Sequence, residues 1–286
     1  MKQTKNTQRK PHWLKVKLPS GDSYRNLKKI VDDHQLHTIC TSGHCPNMGE
    51  CWGDGTATFM ILGNICTRSC GFCNVLTGKP LPADLKEPEK VANSIRLMKV
   101  RHAVITSVDR DDLPDGGAEI WAATVRKVRE YNPGITMETL IPDFQGKTEL
   151  LDIIIKESPE VVSHNLETVR RLTKEVRRQA KYNRSLQVLA YLKQQGIRRT
   201  KSGIMLGLGE TEAEVIESMK DLRKAQVDIM TIGQYLQPTP KHLPVERYPH
   251  PDEYKKYEKV GLEMGFRFVE SGPLVRSSYH AHKHIQ

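Results

Sequence analysis

The chain has 286 residues, 37% of them hydrophobic, with 44 Lys and Arg against 34 Asp and Glu for a formal net charge of +10. That composition suits a globular protein with a substantial core, and no apolar run nears the roughly 18 residues of a membrane-spanning helix, so no span is expected. Met1–Lys10 is polar and basic and lacks the apolar stretch of a secretory signal. It is also too rich in Lys and Gln for a transit peptide, so a reducing, cytoplasmic setting is expected. The positive balance favours acidic partners. Lys and Arg are nevertheless spread along the chain, and the densest runs, Arg170-Arg171 and Arg177-Arg178, read as a solvated helix face. No basic stripe interleaved with aromatic residues argues for nucleic acid.

Residues 1–55 precede any regular pattern and read as an N-terminal extension. The apolar run Phe59-Met60-Ile61-Leu62 then predicts a buried strand. Glu87–Lys99 has helical spacing, with Val91, Ile95 and Met98 on one face. Ala103–Thr106 reads as a strand, and Ala118–Tyr131 as a helix stopped by Asn132-Pro133-Gly134. Ile135–Ile141 is a strand, Thr148–Lys156 a helix and Val161–Ser163 a strand. Helices are expected over Leu166–Glu175 and Asn183–Gln194, a strand over Gly203–Leu206 and a helix over Glu212–Lys224. A strand over Ile229–Tyr235, a helix over Asp252–Met264 and a short strand over Phe266–Val269 complete the series. Six βα units in succession imply an α/β fold with a parallel sheet and helical crossovers. A closed barrel of this kind needs eight. The expectation is an incomplete (β/α)6, TIM-like barrel over residues 56–270, with extensions at 1–55 and 271–286. Working groups in such folds sit beyond the C-terminal ends of the strands.

All six cysteines fall between Cys40 and Cys73, which points to metal rather than to a disulfide scaffold. Cys66, Cys70 and Cys73 form a C-x3-C-x2-C pattern just after the first strand. Three thiolates on a short loop can cap three corners of a [4Fe–4S] cubane. With no fourth cysteine downstream, one iron stays open to a small molecule, as a catalytic zinc keeps an open position. S-adenosylmethionine is a radical cofactor whose amino and carboxylate groups suit such an iron. A zinc site completed by His44 or His102 is the competing reading. Cys40, Cys45 and Cys51 form another trio, the first in chain order, C-x4-C-x5-C. Its fourth ligand must be an oxygen or nitrogen side chain, a substrate or inorganic sulfur.

The C-x3-C-x2-C pattern, with Phe72 before its last cysteine, resembles the radical SAM superfamily. The additional N-terminal trio makes the chain similar to the lipoyl synthase family. The likeness continues through Asn64–Cys73, Ser107–Gly117, Glu138–Asp143, His164–Thr168, Gly203–Glu210 and Arg276–Ala281. It implies sulfur insertion at C6 and C8 of an octanoyl group on a lysine of a carrier protein. It also implies two [4Fe–4S] clusters and S-adenosylmethionine. Cys66, Cys70 and Cys73 would hold the radical cluster. Cys40, Cys45 and Cys51 would hold an auxiliary, sulfur-donating cluster, with Ser278, rather than Ser277, as its fourth ligand. The implied partners are octanoylated lipoyl-carrier domains, namely 2-oxoacid dehydrogenase acyltransferase subunits and the glycine cleavage H protein. An electron donor such as flavodoxin or ferredoxin and a cluster-repair protein are implied as well. A biotin synthase type of enzyme would share the radical trio but lack the first trio and the serine motif.

Other residues carry weaker expectations. Ser107, Asn165, Gly203, Met205 and Gly207 are candidates for S-adenosylmethionine contacts, against plain readings as strand caps and turns. No catalytic side chain is assigned beyond the cluster ligands. Asp109, Asp111 and Asp112 around Arg110 read as an ordered loop rather than a metal site. Arg276 either steers an acidic partner or supports the serine. His280, His282 and His284 alternate near the end and read as a frayed polar tail.

Overall fold

The computed structural model describes residues 9–15, 22–33, 38–42, 47–53 and 56–285. Among the described residues three α-helices precede the first strand: α1 (Asp22–Asp33), α2 (Ile39–Ser42) and α3 (Met48–Gly53). Then come β1 (Thr56–Ile61), the short pair β2 (Ile65–Cys66) and β3 (Leu76–Thr77), and α4 (Glu87–Leu97). The chain continues through β4 (His102–Ser107), α5 (Ala118–Tyr131), β5 (Thr136–Leu140), α6 (Thr148–Ile155) and β6 (Val161–Ser163). After α7 (Thr173–Val176) and α8 (Tyr182–Gln194) follow β7 (Thr200–Leu206), α9 (Glu212–Lys224), β8 (Ile229–Gln234), α10 (Pro251–Glu263) and β9 (Phe268–Ser271).

Seven strands form one sheet in the order β1-β4-β5-β6-β7-β8-β9, every pair parallel. This is the expected run of six βα units plus an end strand. Strands covered on both faces lose the polar alternation of a half-exposed sheet, and β8 is buried at all six positions. The helices start where the local chemistry allows. Pro88 and Pro251 occupy first turns, where a missing N–H has no consequence. Thr211 and Glu214 close a capping box on α9.

The sheet is curled. Laid flat, six interstrand spacings would put β1 and β9 about 29 Å apart. Yet His282 Nδ1 lies 3.3 Å from Thr56 Oγ1 on β1, while His284, two residues on, packs against Phe268 of β9 with ring centroids 5.6 Å apart. The 3₁₀ turn Ala281–Ile285 thus touches strands from both edges, and the inside of the partial barrel closes around it. The expected frayed tail is therefore wrong: Ala281 and His284 are fully buried.

Two other expectations are corrected. Leu166–Glu175 is not one helix. Glu167 has φ +64° and its backbone pairs with β7, its N–H donating to Gly203 O and its carbonyl accepting from Met205 N. Those bonds extend the sheet and leave room only for a 3₁₀ turn, Arg170–Leu172, and α7. Leu166, Val169 and Leu172, with Val176 just beyond, fill the core together with residues of β7 and β8. The last strand also begins later than expected, because Phe266 N–H closes the end of α10 on Gly261 O.

Candidate functional site

Cys66 ends β2, and the loop to Cys73 lies beyond the C-terminal end of β1. It is pinned on three sides. Thr67 N–H donates to Asp109 O, Gly71 N–H to Val176 O, and Leu243 N–H to Gly71 O. His242 Nε2 donates to Cys73 O at 2.9 Å. Gly71 fits beneath Leu243, where a Cβ would meet the leucine side chain at 2.9 Å. A cleft of about 370 Å³ lined by Glu175, Val176, Leu208, His242, Leu243 and Glu246 opens alongside.

The centre of the loop is tied down by Arg68, whose guanidinium is buried. It makes a two-point bond to Asp111 at 2.6 and 2.8 Å, reaches Asp143 at 2.7 Å and lies 3.3 Å from Asp109. Burial opposes the charge of Asp143, but the Arg68 guanidinium overrides it and holds that carboxyl well below its usual range. Arg110 separately clasps Asp112. The acidic run 109–112 is thus an ordered loop, as expected, whose carboxylates are engaged by arginines. The sequence alone gave no sign of Arg68 or Asp143 as its partners.

The three cysteines form a matched donor set. Burial pushes the Cys66 thiol up, and the N–H bonds its Sγ accepts from Arg68 at 3.4 Å and Asp109 at 3.3 Å only partly offset this. Burial pushes the Cys73 thiol up to about 11 and the Cys70 thiol up to about 12, each also raised by a neighbouring cysteine. Such thiols keep their protons until a cation displaces them. Among the described residues no group of three His, Cys, Asp or Glu side chains is drawn together around one point. His102, once a zinc candidate, starts β4, at the opposite end of the sheet, and bonds Thr136 Oγ1 at 2.8 Å. His44 lies outside the described residues.

Beside the loop, the ends of β6 and β7 bring several candidates together. Asn165 donates to Glu167 at 3.0 Å, and its Oδ1 is buried without a partner among the described residues. That oxygen stands over Gly203, where a Cβ would approach it to 3.2 Å. Met205 is half-buried on the same strand and bonds the Glu167 carbonyl. Ser107 ends β4, its Oγ likewise buried and unpartnered. Gly207 turns elsewhere: φ is +99° and a Cβ would collide with Gln234 Nε2 at 2.3 Å and Arg247 O at 2.6 Å. Two residues missed by the sequence reading face the trio. Glu167 and Arg177 both act electrostatically on Cys70. Arg177 is buried, donating to Leu166 O and Ser185 Oγ, so it does not belong to a solvated helix face; Arg170 and Arg171 do.

The first trio lies elsewhere on the molecule. Cys40 sits in α2 and Cys51 in α3, both helices packed on β1, and Cys45 lies outside the described residues. The segment carrying Ser278 returns to this place. Asn47 Nδ2 donates to Leu274 O at 2.7 Å, and Tyr279 Oη donates to Glu50, next to Cys51, at 3.1 Å. Burial first and then Glu50 raise the Tyr279 phenol to about 12, and Cys51 adds to the shift. Arg276 donates to the Gln234 carbonyl at the end of β8 and to Val275 O, so it fastens this segment.

Residues 60–222 match the family model of the radical SAM superfamily, and residues 1–45 match that of the N-terminal domain of lipoyl synthase of the radical SAM family. A mitochondrial lipoyl synthase of Nematostella vectensis is 70% identical over 96% of this chain and 95% of its own. A lipoyl synthase of Flavobacterium johnsoniae is 69% identical over 96% of each chain. The chain belongs to the lipoyl synthase family. Among solved structures, Streptococcus suis SuiB bound to the precursor peptide SuiA resembles it with a TM-score of 0.60 at 14% identity. The match covers 87% of this chain but 52% of SuiB, and it supports the fold alone. Lipoyl synthases of the radical SAM type work with [4Fe–4S] clusters and S-adenosylmethionine. The half-buried thiols of Cys66, Cys70 and Cys73, the N–H donors on Cys66 and the unpartnered Ser107 and Asn165 oxygens fit those groups.

Proposed function

We propose that the chain inserts two sulfur atoms, at C6 and C8, into an octanoyl group carried on a lysine of a lipoyl-carrier protein. When bound, S-adenosylmethionine and the two clusters supply a carbon radical and the sulfur. The chain's own residues divide that work among an N-terminal segment (1–55), the partial barrel (56–270) and a C-terminal segment (271–286). Cys66, Cys70 and Cys73 would hold the radical cluster, with the Arg68 and Asp109 N–H groups offsetting negative charge on one sulfur. Asn165 and Ser107 offer polar atoms to the methionine end of S-adenosylmethionine. Gly203 and Met205 line its approach, and Gly207 shapes the turn that follows.

Cys40, Cys45, Cys51 and Ser278 would hold the auxiliary cluster. The observation that carries this reading is the return of residues 274–280 onto α3, joining positions more than 220 apart in sequence. A serine oxygen is a harder, more readily exchanged ligand for iron than a thiolate, which suits a cluster that surrenders sulfur. The partners that fit are octanoylated acyltransferase domains or H protein, a low-potential flavodoxin or ferredoxin, and a cluster-repair protein. No helix among the described residues is long and apolar enough to cross a membrane.

The test is iron, sulfide and zinc content after anaerobic reconstitution, with Mössbauer spectra and an assay on an octanoylated lipoyl domain. About eight irons per chain, as two cubanes, with lipoyl product, is expected. About four irons would remove the sulfur donor from the scheme, and stoichiometric zinc without iron would overturn it.

A further inference from the structure

The segment that carries Ser278 is an arch with two fixed feet. The upstream foot crosses β8 so closely that a Cβ on Gly233 would lie 2.1 Å from Val275 O. The downstream foot is His284, fully buried inside the partial barrel. Lys201 and Glu138 are paired there at 2.9 Å, both fully buried, and Ser163 Oγ donates to the same carboxylate at 2.5 Å. The Lys201 ammonium has further protons to place, and one points at His284 Nδ1, 3.4 Å away. An ammonium only donates, so Nδ1 accepts and the imidazole proton sits on Nε2. That nitrogen faces Glu270 Oε1 at 3.9 Å, an electrostatic contact rather than a hydrogen bond. Glu270 Oε2 meets His280 Nδ1 at 3.3 Å, and His280 Nε2 meets Glu50 at 3.3 Å. A chain of polar contacts thus runs from the barrel interior to the residue beside Cys51, through Glu270 before Ser278 and His280 and His284 after it in sequence.

We propose that His284 is a positioning residue: seated on Lys201 within the barrel, it fixes the register of the C-terminal arch and so holds Ser278 at the Cys40–Cys45–Cys51 centre. The inference rests on the reading of Ser278 as the auxiliary-cluster ligand. An apolar plug could slip along its socket, but a buried ammonium accepts only the register that supplies its acceptor. A slip of one residue along this 3₁₀ turn would carry Ser278 about 2 Å, more than a bond to iron tolerates. The arch also holds His280 at φ +52°, a conformation that persists only when its surroundings impose it.

The experiment compares His284→Leu, His284→Gln and Ser278→Ala as reconstituted holoenzymes. Iron content, the Mössbauer spectrum of the auxiliary site, 5′-deoxyadenosine formation and lipoyl formation are measured on each. His284→Leu should keep 5′-deoxyadenosine formation and reproduce the auxiliary-site spectral change of Ser278→Ala, with lipoyl formation down about ten- to hundredfold. His284→Gln should restore the wild-type spectrum, since its amide can accept from Lys201 and donate towards Glu270. A folded His284→Leu protein with a wild-type auxiliary spectrum, while Ser278→Ala alters it, would overturn the proposal alone. An unaltered spectrum in Ser278→Ala removes the ligand reading and the proposal with it. If His284→Leu does not fold, the paired change Lys201→Met with Glu138→Gln removes the donor to His284 without leaving a buried charge unpaired; it should show the spectral change, and an unchanged spectrum overturns the proposal.

Discussion

Arg68 illustrates what a single residue does for this site. It sits between Cys66 and Cys70 in sequence, yet its role is set by three aspartates 41, 43 and 75 positions away. The two-point bond to Asp111 with a further donor on Asp143 is a geometry that lysine cannot reproduce. Arg68→Lys should therefore loosen the cysteine loop, lowering unfolding stability by about 2–3 kcal/mol and reducing iron bound at Cys66, Cys70 and Cys73; chemical denaturation and iron counts check both. At the other centre, Ser278→Cys should retain the cluster and suppress sulfur insertion; undiminished lipoyl product would refute the idea that a labile oxygen ligand matters. The cysteines were legible because metal chemistry imposes their type and spacing locally. Arg68, Asp143, Glu167 and Arg177 were not, because their significance lies in partners that only folding supplies.

Most helices and strands could be read from periodicity, since burial on one face writes a local pattern. Ala118–Tyr131, Val161–Ser163 and Glu212–Lys224 match the expected bounds residue for residue. Leu166–Glu175 failed because its apolar residues are helically spaced while its backbone bonds go to β7. The short β2–β3 pair around the cysteine loop escaped notice because two-residue strands carry no periodicity. Gly233 shows how one element admits another: it reads as an ordinary strand glycine until Val275 is seen against it. Gly233→Ala should lift the C-terminal arch from β8. Limited proteolysis with trypsin should then cut at Arg276 sooner than in the wild type, while cleavage elsewhere keeps its rate.

For the whole molecule, the curl of the sheet buries groups that would otherwise titrate. Burial holds His102 and His164 down to about 4. His164 is locked as a neutral imidazole, Nδ1–H donating to Ile141 O and Nε2 accepting from Ser185 Oγ, each at 2.9 Å. Unfolded, both would take up protons near pH 6.5. The unfolded chain therefore binds more protons between about pH 6.5 and 4, and stability must fall as pH drops through that window. For each histidine the loss is on the order of 3 kcal/mol once pH is below the folded value. Melting temperatures across pH 4–7 should show this slope, and His164→Gln should flatten it. The depressed Asp143 acts further into acid, its contribution being lost as pH falls below the ordinary carboxylate range. The net charge of +10 also makes a prediction at this scale: affinity for an acidic carrier domain should weaken as salt rises, and titrations at several ionic strengths decide it.

The sequence by itself determined the two cysteine trios, the succession of βα units and the position of one trio beyond a strand end, because each is written in neighbouring residues by spacing or periodicity. The tertiary structure alone decided that residues 281–285 enter the barrel and that Tyr279, next to Ser278, returns to the helix of Cys51. It alone decided, too, that Lys201, Glu138 and His284 meet. Those contacts join residues 63 to more than 220 positions apart, and side chains at such separations leave no pattern along the chain. They become neighbours only when the parallel sheet curls and brings both of its edges to the same short turn.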